Sequence, residues 1–169
     1  SAAAAVNVGT SGTIDMSAAT TISSSSVADV LAIVQNTGAA FTTATNYAVT
    51  LSDTASAANA DLIMADTTGI VTATVTATGA VAALNTALGN ASATDALTMV
   101  LDATTASAAD LNTLNGKTSV AIDSTSITDV TSSAVADVQT MVTNIAAIGL
   151  DSDWNVTLSD TTLAASAAA

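Results

Sequence analysis

Two patterns of apolar residues alternate along the chain, and the first has a period of two. In GIVTATVTATG (69–79), valine and alanine alternate with threonine. This predicts a strand with one buried face, because successive side chains of a strand point to opposite sides. LTMVLD (97–102), VAID (120–123) and two copies of VTLSD (49–53 and 156–160) are shorter versions of the same pattern. The residues expected to be buried in these strands are Val49, Leu51, Val71, Ala73, Val75, Ala77, Leu97, Met99, Leu101, Val120, Ile122, Val156 and Leu158.

The second pattern has helical spacing. VADVLAIVQ (27–35) and AVADVQTMVTNI (134–145) each place valine, leucine or isoleucine on one stripe of a helix. SAADLNTLNG (107–116) has the clearest boundaries: Ser107 can cap the free N–H groups, Asp110 lies three residues on, and Gly116 can end the helix in a left-handed turn. We expect Leu111 and Leu114 of this helix to face the sheet.

A repeated unit follows from the aspartates that end these strands. Asp53, Asp102 and Asp160 lie 49 and 58 residues apart, which divides the chain into approximate units 12–68, 69–118 and 119–169 of a single repeat array. Strands joined through helices pair in parallel, because a hairpin turn cannot contain a helix. The sequence therefore predicts an α/β solenoid, with a parallel sheet on one side and short helices on the other. An all-β solenoid or sandwich is the alternative, since short apolar runs fit both helices and strands.

Composition and charge narrow the function. All 14 acidic residues are aspartate, Lys117 is the single basic residue, and the formal net charge is −13. Such a chain is not expected to bind nucleic acid, which needs lysine and arginine to neutralise phosphates, or to insert in a membrane. It has no histidine, cysteine, glutamate or arginine, so the usual general bases and charge stabilisers are missing. Serine and threonine are abundant, but a hydroxyl needs a neighbouring base to become a nucleophile, and we expect no enzyme.

Several segments resemble a known type of sequence. VTLSDTT, SAADLNTLNGKT, GTIDMSAATTI and SSAVADVQTMV are similar to the Ala/Thr/Asp-rich repeats of very large secreted bacterial proteins, notably those of marine cyanobacteria. The resemblance runs from about residue 12 to 165. It implies an extracellular or cell-surface location and a structural or adhesin role, without a particular partner.

Calcium is the one cofactor that the residues allow. Asp151 and Asp153 form a D-x-D pair in the loop GLDSDWN, and hard cations take several oxygen ligands. The neighbouring Trp154 can stack on a sugar or plug the core. The repeat aspartates allow two interpretations: turn and cap residues, or a stacked column that holds cations. The predicted alternative function is accordingly a calcium-dependent or carbohydrate-binding adhesin segment.

The threonine row of 72–78 suggests a further hypothesis, because regular threonines on a flat strand also occur in ice-binding solenoids. An ordinary exposed strand gives the same row. Threonine rows on adjacent strands would favour ice binding.

Self-association is the leading functional prediction. An unpaired strand edge accepts another strand unless lysine, proline or a cover blocks it, and this chain contains no proline and one lysine. The last unit stops where SAADLNTLNGKT would follow, so we expect a neighbour to complete it. Contact between unlike ends is head-to-tail and builds a filament. The residues predicted near the joints are Val6 and Val8 at one end and Leu158 and Leu163 at the other.

Overall fold

The computed structural model describes residues 11–36 and 40–160. Its strands are β1 (Ile14–Met16), β2 (Thr21–Ser25), β3 (Phe41–Thr43), β4 (Ala48–Leu51), β5 (Ala55–Ser56), β6 (Val71–Ala77), β7 (Ala96–Leu101), β8 (Thr105–Ala106), β9 (Asp129–Ser133) and β10 (Asn155–Leu158). Six helices occur in the same residues: α1 (Val27–Val34), α2 (Ala57–Asp66), α3 (Val81–Ala87), α4 (Ala108–Asn115), α5 (Val135–Thr143) and α6 (Ile145–Ile148). The fold is therefore mixed α/β, and the all-β alternative is wrong.

The strand pairing follows one rule. Every strand pair in the described ranges is parallel. Partners lie from 20 residues apart, between Ala55 and Val75, to 27 apart, between Thr21 and Ala48. The strands form three parallel sheets: β1 with β3, β2–β4–β6–β5 with β7 also on β6, and β8–β9–β10. The chain thus returns to a neighbouring strand about every 25 residues, and we call one strand region with its following helix a step. Consecutive helices from α1 to α5 also contact one another.

The alternating strands are those that the sequence predicts best. β6 has the burial pattern of a strand with one covered face: Val71, Ala73, Val75 and Ala77 are buried and the threonines between them are exposed. On β7, Leu97, Met99 and Leu101 are buried in the same way. Parallel pairing of β6 with β7 places these two rows side by side, so together they form the centre of the core between sheet and helices.

The predicted helices are confirmed, with a correction at one end. In α4, Leu111 and Leu114 are completely buried. The Ser107 Oγ accepts a hydrogen bond from the Asp110 N–H at 3.1 Å and donates to its carboxylate at 2.7 Å. Gly116 follows the helix with φ −71°, so it continues the right-handed backbone and the predicted left-handed ending is wrong.

The aspartates mark every second step. The strand regions are, in order, β1–β2, β3–β5, β6, β7–β8, β9 and β10. Asp53, Asp102 and Asp160 follow β4, β7 and β10, in the second, fourth and sixth regions. In the fifth region, the Ser133 hydroxyl accepts a hydrogen bond from the first N–H of α4. Each predicted unit therefore contains two steps. The 49- and 58-residue spacing seen in the sequence is therefore about twice the structural step.

The two ends of the described chain are built alike. Residues 14–30 and 122–138 are identical at nine of 17 positions. Ser24 and Ser132, 108 residues apart, both adopt left-handed backbone angles, with φ 49° and 47°. Each sits where the register shifts against the next strand, as at a β-bulge, which bends a strand by one extra residue. The last two strand regions thus repeat the first two.

Three residues predicted to be buried on strands are exposed. Val120 lies outside the named strands, where only an isolated bridge joins Val100 to Asp123. Val156 and Leu158 lie on β10, which forms as predicted but has all four residues exposed. Their exposure reflects the position of β10 at the end of its sheet, in the order β10–β9–β8.

Candidate functional site

The repeat aspartates act as caps between steps. Asp53 Oδ1 accepts a hydrogen bond from the Val27 N–H at 2.7 Å, and Asp160 accepts one from the Val135 N–H at 3.1 Å. These are the first residues of α1 and α5, whose N–H groups have no partner inside the helix. Asp102 Oδ1 accepts a hydrogen bond at 2.7 Å from the N–H of Gly79, which lies just before α3. Negative charge is also favoured at a helix N-terminus, so the cap interpretation suits these residues better than a cation column.

The predicted calcium residues lie in the loop before β10. Asp151 and Asp153 are exposed, and Asp151 Oδ1 accepts a hydrogen bond from the adjacent Ser152 N–H at 2.7 Å. Within the described part of the chain no three acidic side chains are grouped closely enough to hold a metal ion. Calcium binding at this pair stays a prediction. Trp154 is half-buried and packs against the core, which favours the core plug over a sugar platform.

Lys117 has a structural position. Its Nζ donates a hydrogen bond at 2.8 Å to the carbonyl oxygen of Leu88, the residue that ends α3. A cation there complements the partial negative charge of a helix C-terminus. Along the chain, Lys117 follows the end of its own helix, α4. The structure instead places the ammonium group at the end of the preceding one.

Tyr47 is the most deeply embedded ionisable group, and the sequence analysis missed it. It is 1% exposed, and its hydroxyl donates to Asp66 Oδ2 at 2.7 Å. Burial, then the hydrogen bond and charge of Asp66, raise the pKa of Tyr47 far above its usual range. A signal was present in the sequence: an aromatic residue stands two positions before VTLSD in both copies, as Tyr47 and as Trp154.

A polar cavity of about 530 Å³ lies beside this tyrosine–aspartate pair. Its most buried acid is Asp95, whose carboxylate accepts hydrogen bonds from the N–H groups of Val71 and Ser92, both at 2.9 Å. That carboxylate holds the loop against β6 and has the role of a structural clamp. The cavity is lined by Thr45, Met64, Ala65, Asp66, Thr67, Thr68, Gly69, Asn90, Ser92 and Asp95.

Threonines occupy the outer face of the central strands. Thr72, Thr74 and Thr76 of β6 are exposed. The register sets Thr50 beside Thr72 and Thr98 beside Thr74, whereas Thr76 lies beside Val100. Two of the three positions thus have a threonine neighbour on an adjacent strand. Ice binding by this face remains a hypothesis.

The outer edge of β10 carries two exposed apolar residues. Val156 is 43% exposed and Leu158 is 38% exposed. β10 pairs with β9 on one side, and no described strand pairs with its other side. Self-association at Leu158 stays a prediction. Val6, Val8 and Leu163 lie outside the described residues.

Comparison with protein-family models, with curated proteins and with solved structures finds no match to this chain. In the part of the chain that the structure describes, no helix has the length and hydropathy needed to cross a membrane.

Proposed function

We propose that the chain is a non-catalytic structural module of a secreted or cell-surface protein. Its steps stack as a solenoid, and its ends join head to tail into a filament or form the stalk of an adhesin. The observation that carries the proposal is the open edge of β10, with Val156 and Leu158 exposed on a parallel strand.

The stacking of steps supports a solenoid. Each strand region pairs with regions one step away, and asparagine side chains inside one helix also donate hydrogen bonds to the first turn of the next helix. Asn85 Nδ2, for example, donates to the Asp110 carbonyl oxygen at 2.9 Å, and Asn112 Nδ2 donates to that of Asp137 at 2.9 Å. In such one-dimensional arrays each unit is stabilised by its immediate neighbours. A terminal unit without a neighbour is therefore the natural place for assembly.

The chemistry of the edge supports assembly as well. Parallel strand edges present unpaired N–H and C=O groups, and natural proteins block them with lysine, proline or an inward charge. β10 has the sequence NVTL, which contains none of these. The composition, acidic and free of cysteine, suits a secreted location.

Sedimentation velocity over a range of concentrations, with electron microscopy of the same samples, tests the proposal. We expect the unmodified chain to form growing oligomers or fibres. The double variant Val156→Lys/Leu158→Lys places two charges on the edge and should remain monomeric. Leu62→Lys is the matched control, because Leu62 is 47% exposed on α2, away from β10, and it should assemble normally. A strict monomer at high concentration, with both termini intact, would rule out assembly.

Calcium titration tests the alternative function. A cation that binds only the folded chain raises the melting temperature by mass action. If Asp151 and Asp153 bind calcium, millimolar calcium raises the melting temperature of the parent chain and leaves Asp153→Ala unchanged. Equal melting of both chains with calcium and with chelator would leave the structural module as the better description.

A further inference from the structure

The outer edge of β10 has a counterpart inside the molecule. VTLSD occurs at 49–53 and again 107 residues later. The hydrogen bonds to the preceding strand region correspond one to one. The Ala48 N–H donates to the Thr20 carbonyl oxygen at 2.9 Å, and the Asn155 N–H donates to that of Thr128 at 2.8 Å.

The hydrogen bonds at the C-terminal end of each strand correspond as well. The Ser52 N–H donates to the Ser25 carbonyl oxygen, and the Ser159 N–H donates to that of Ser133, both at 2.9 Å. β10 is thus held on β9 in the way that β4 is held on β2. The edge that β10 presents outward is therefore the edge that β4 presents to its next neighbour.

In the first copy the next neighbour is β6. The Val49 N–H donates to the Ile70 carbonyl oxygen at 2.9 Å, and Val49 and Thr50 lie opposite Val71 and Thr72 in parallel register. This pairing leaves Val49 only 1% exposed. The equivalent N–H on β10 is that of Val156, which the alternation of a parallel strand directs away from β9.

We propose that the outer edge of β10 docks a parallel strand–helix segment of the kind formed by β6 and α3. The strand of this partner alternates small apolar residues with threonine and carries no charge. Its valine lies opposite Val156 and its threonine lies opposite Thr157. The proposal deepens the proposed function, on which it rests, because it states which kind of step the open end accepts.

The partner differs from the step that a second copy offers by simple head-to-tail contact. The first described strands of a copy are β1 and β2, and β2 has the sequence TISSS with a bulge at Ser24. In this molecule the strand equivalent to β2 is β9, whose preceding neighbour is β8. The 108-residue repeat therefore matches the β10 edge to β6 and not to β2.

Two peptides distinguish these partners on the full chain. One spans 69–88 (β6 and α3) and the other spans 18–36 (β2 and α1). Hydrogen exchange of the Val156 and Leu158 amides, followed by NMR on dilute protein, reports the edge directly. We expect the first peptide to slow this exchange on the order of tenfold, as pairing protects an amide. We expect weaker protection by the second peptide, which still allows head-to-tail contact, and none by the first peptide carrying Val71→Asp or with Val156→Lys protein.

The outcomes separate this inference from the proposed function. Equal protection by both peptides, protection by 18–36 alone, or protection by neither overturns the preference for a β6-type strand. Sedimentation of the unmodified chain without peptide reports self-assembly independently. A chain that assembles but does not bind 69–88 contradicts the inference alone. A chain that binds 69–88 and stays monomeric contradicts only the head-to-tail filament.

Discussion

The two copies of VTLSD show how one sequence acquires two surfaces. Val49 in the first copy is 1% exposed, and Val156 in the second is 43% exposed. Both strands have the same hydrogen bonds to the strand before them, and both end in an aspartate that caps an earlier helix. They differ in the strand that follows: β6 covers β4. Val49 is therefore buried beside a neighbouring strand on that side, whereas Val156 has no such neighbour among the described strands.

The aromatic residues before each copy show the same contrast. Tyr47 is buried with its hydroxyl on Asp66, a residue of α2, whereas Trp154 is half-buried. α2 is the helix that follows VTLSD in the first copy. Matched positions of the two copies should therefore respond differently to the same substitution.

The aromatic pair should differ most. We expect Tyr47→Ala to destabilise the fold by about 3–5 kcal/mol, the usual range for a large buried aromatic residue. Trp154→Ala should cost clearly less, since part of its surface already contacts water. Urea unfolding of both variants measures this difference. Equal losses of unfolding free energy in the two variants would contradict the view that the segment after VTLSD buries the aromatic residue.

The valine pair isolates the effect with identical chemistry. Val49→Ala should lower the free energy of unfolding by about 1.5–3 kcal/mol, the scale of a fully buried valine. Val156→Ala should stay within about 0.5 kcal/mol, as for an ordinary surface substitution. Both values come from thermal and denaturant unfolding of dilute protein, where assembly is suppressed. A cost at Val156 comparable to that at Val49 would mean that β10 is covered in solution.

How far the sequence predicted the fold can be judged from the same strands. The period of two in β6 identifies both the strand and its buried face, because each inward residue there is covered on its own step and by β7. The helix α4 was predicted since Ser107 marks its start. By contrast, α3 was missed: its N-cap residue is Ala80, which makes no side-chain cap bond, and its alanines fit either structure.

The candidate site was less predictable for a physical reason. The sequence VTLSD does not indicate whether another strand pairs with its outer edge. Val156 and Leu158 were therefore wrongly expected to be buried. The true step length was hidden because Ser133 replaces aspartate as the cap of the Ala108 N–H, at 2.8 Å. A serine hydroxyl and an aspartate carboxylate can both accept the hydrogen bond from the first N–H of a helix. A search for identical residues does not detect such substitutions.

The capping aspartates should differ by a smaller amount. Loss of a helix cap costs about 0.5–2 kcal/mol, and we expect Asp53→Ala to lie nearer the upper end than Asp160→Ala. The Asp53 bond is shorter and partly buried, at 2.7 Å against 3.1 Å for the exposed Asp160 bond. Hydrogen exchange at Val27 and Val135 gives the local effect. The reverse order would show that burial does not strengthen this cap.

The smallest effect concerns two aspartates 108 residues apart, which should behave alike. The Ser17 hydroxyl and N–H lower the pKa of Asp15, and those of Thr125 lower the pKa of Asp123, in both cases below the ordinary 3.8. A carboxyl with a lower pKa in the folded chain stabilises it fully above the unfolded value, and this stabilisation is lost as pH falls through the folded value.

NMR titration of both carboxyl groups provides the test of this pair. We expect two midpoints below 3.8 and a melting temperature that decreases as the pH falls through them. Asp15→Asn and Asp123→Asn should each reduce that decrease slightly. An ordinary midpoint at one of the two residues would break the correspondence between the two ends of the chain.

The caps between steps also affect the order in which parts of the nascent chain fold. The first N–H groups of α1, α4 and α5 are bonded to side chains that lie 26, 25 and 25 residues later. A helix emerging from a ribosome or a secretion pore therefore lacks its cap until the following strand has also emerged. We expect the nascent chain to fold in order from its N-terminal side, with the newest helix always one step from completion.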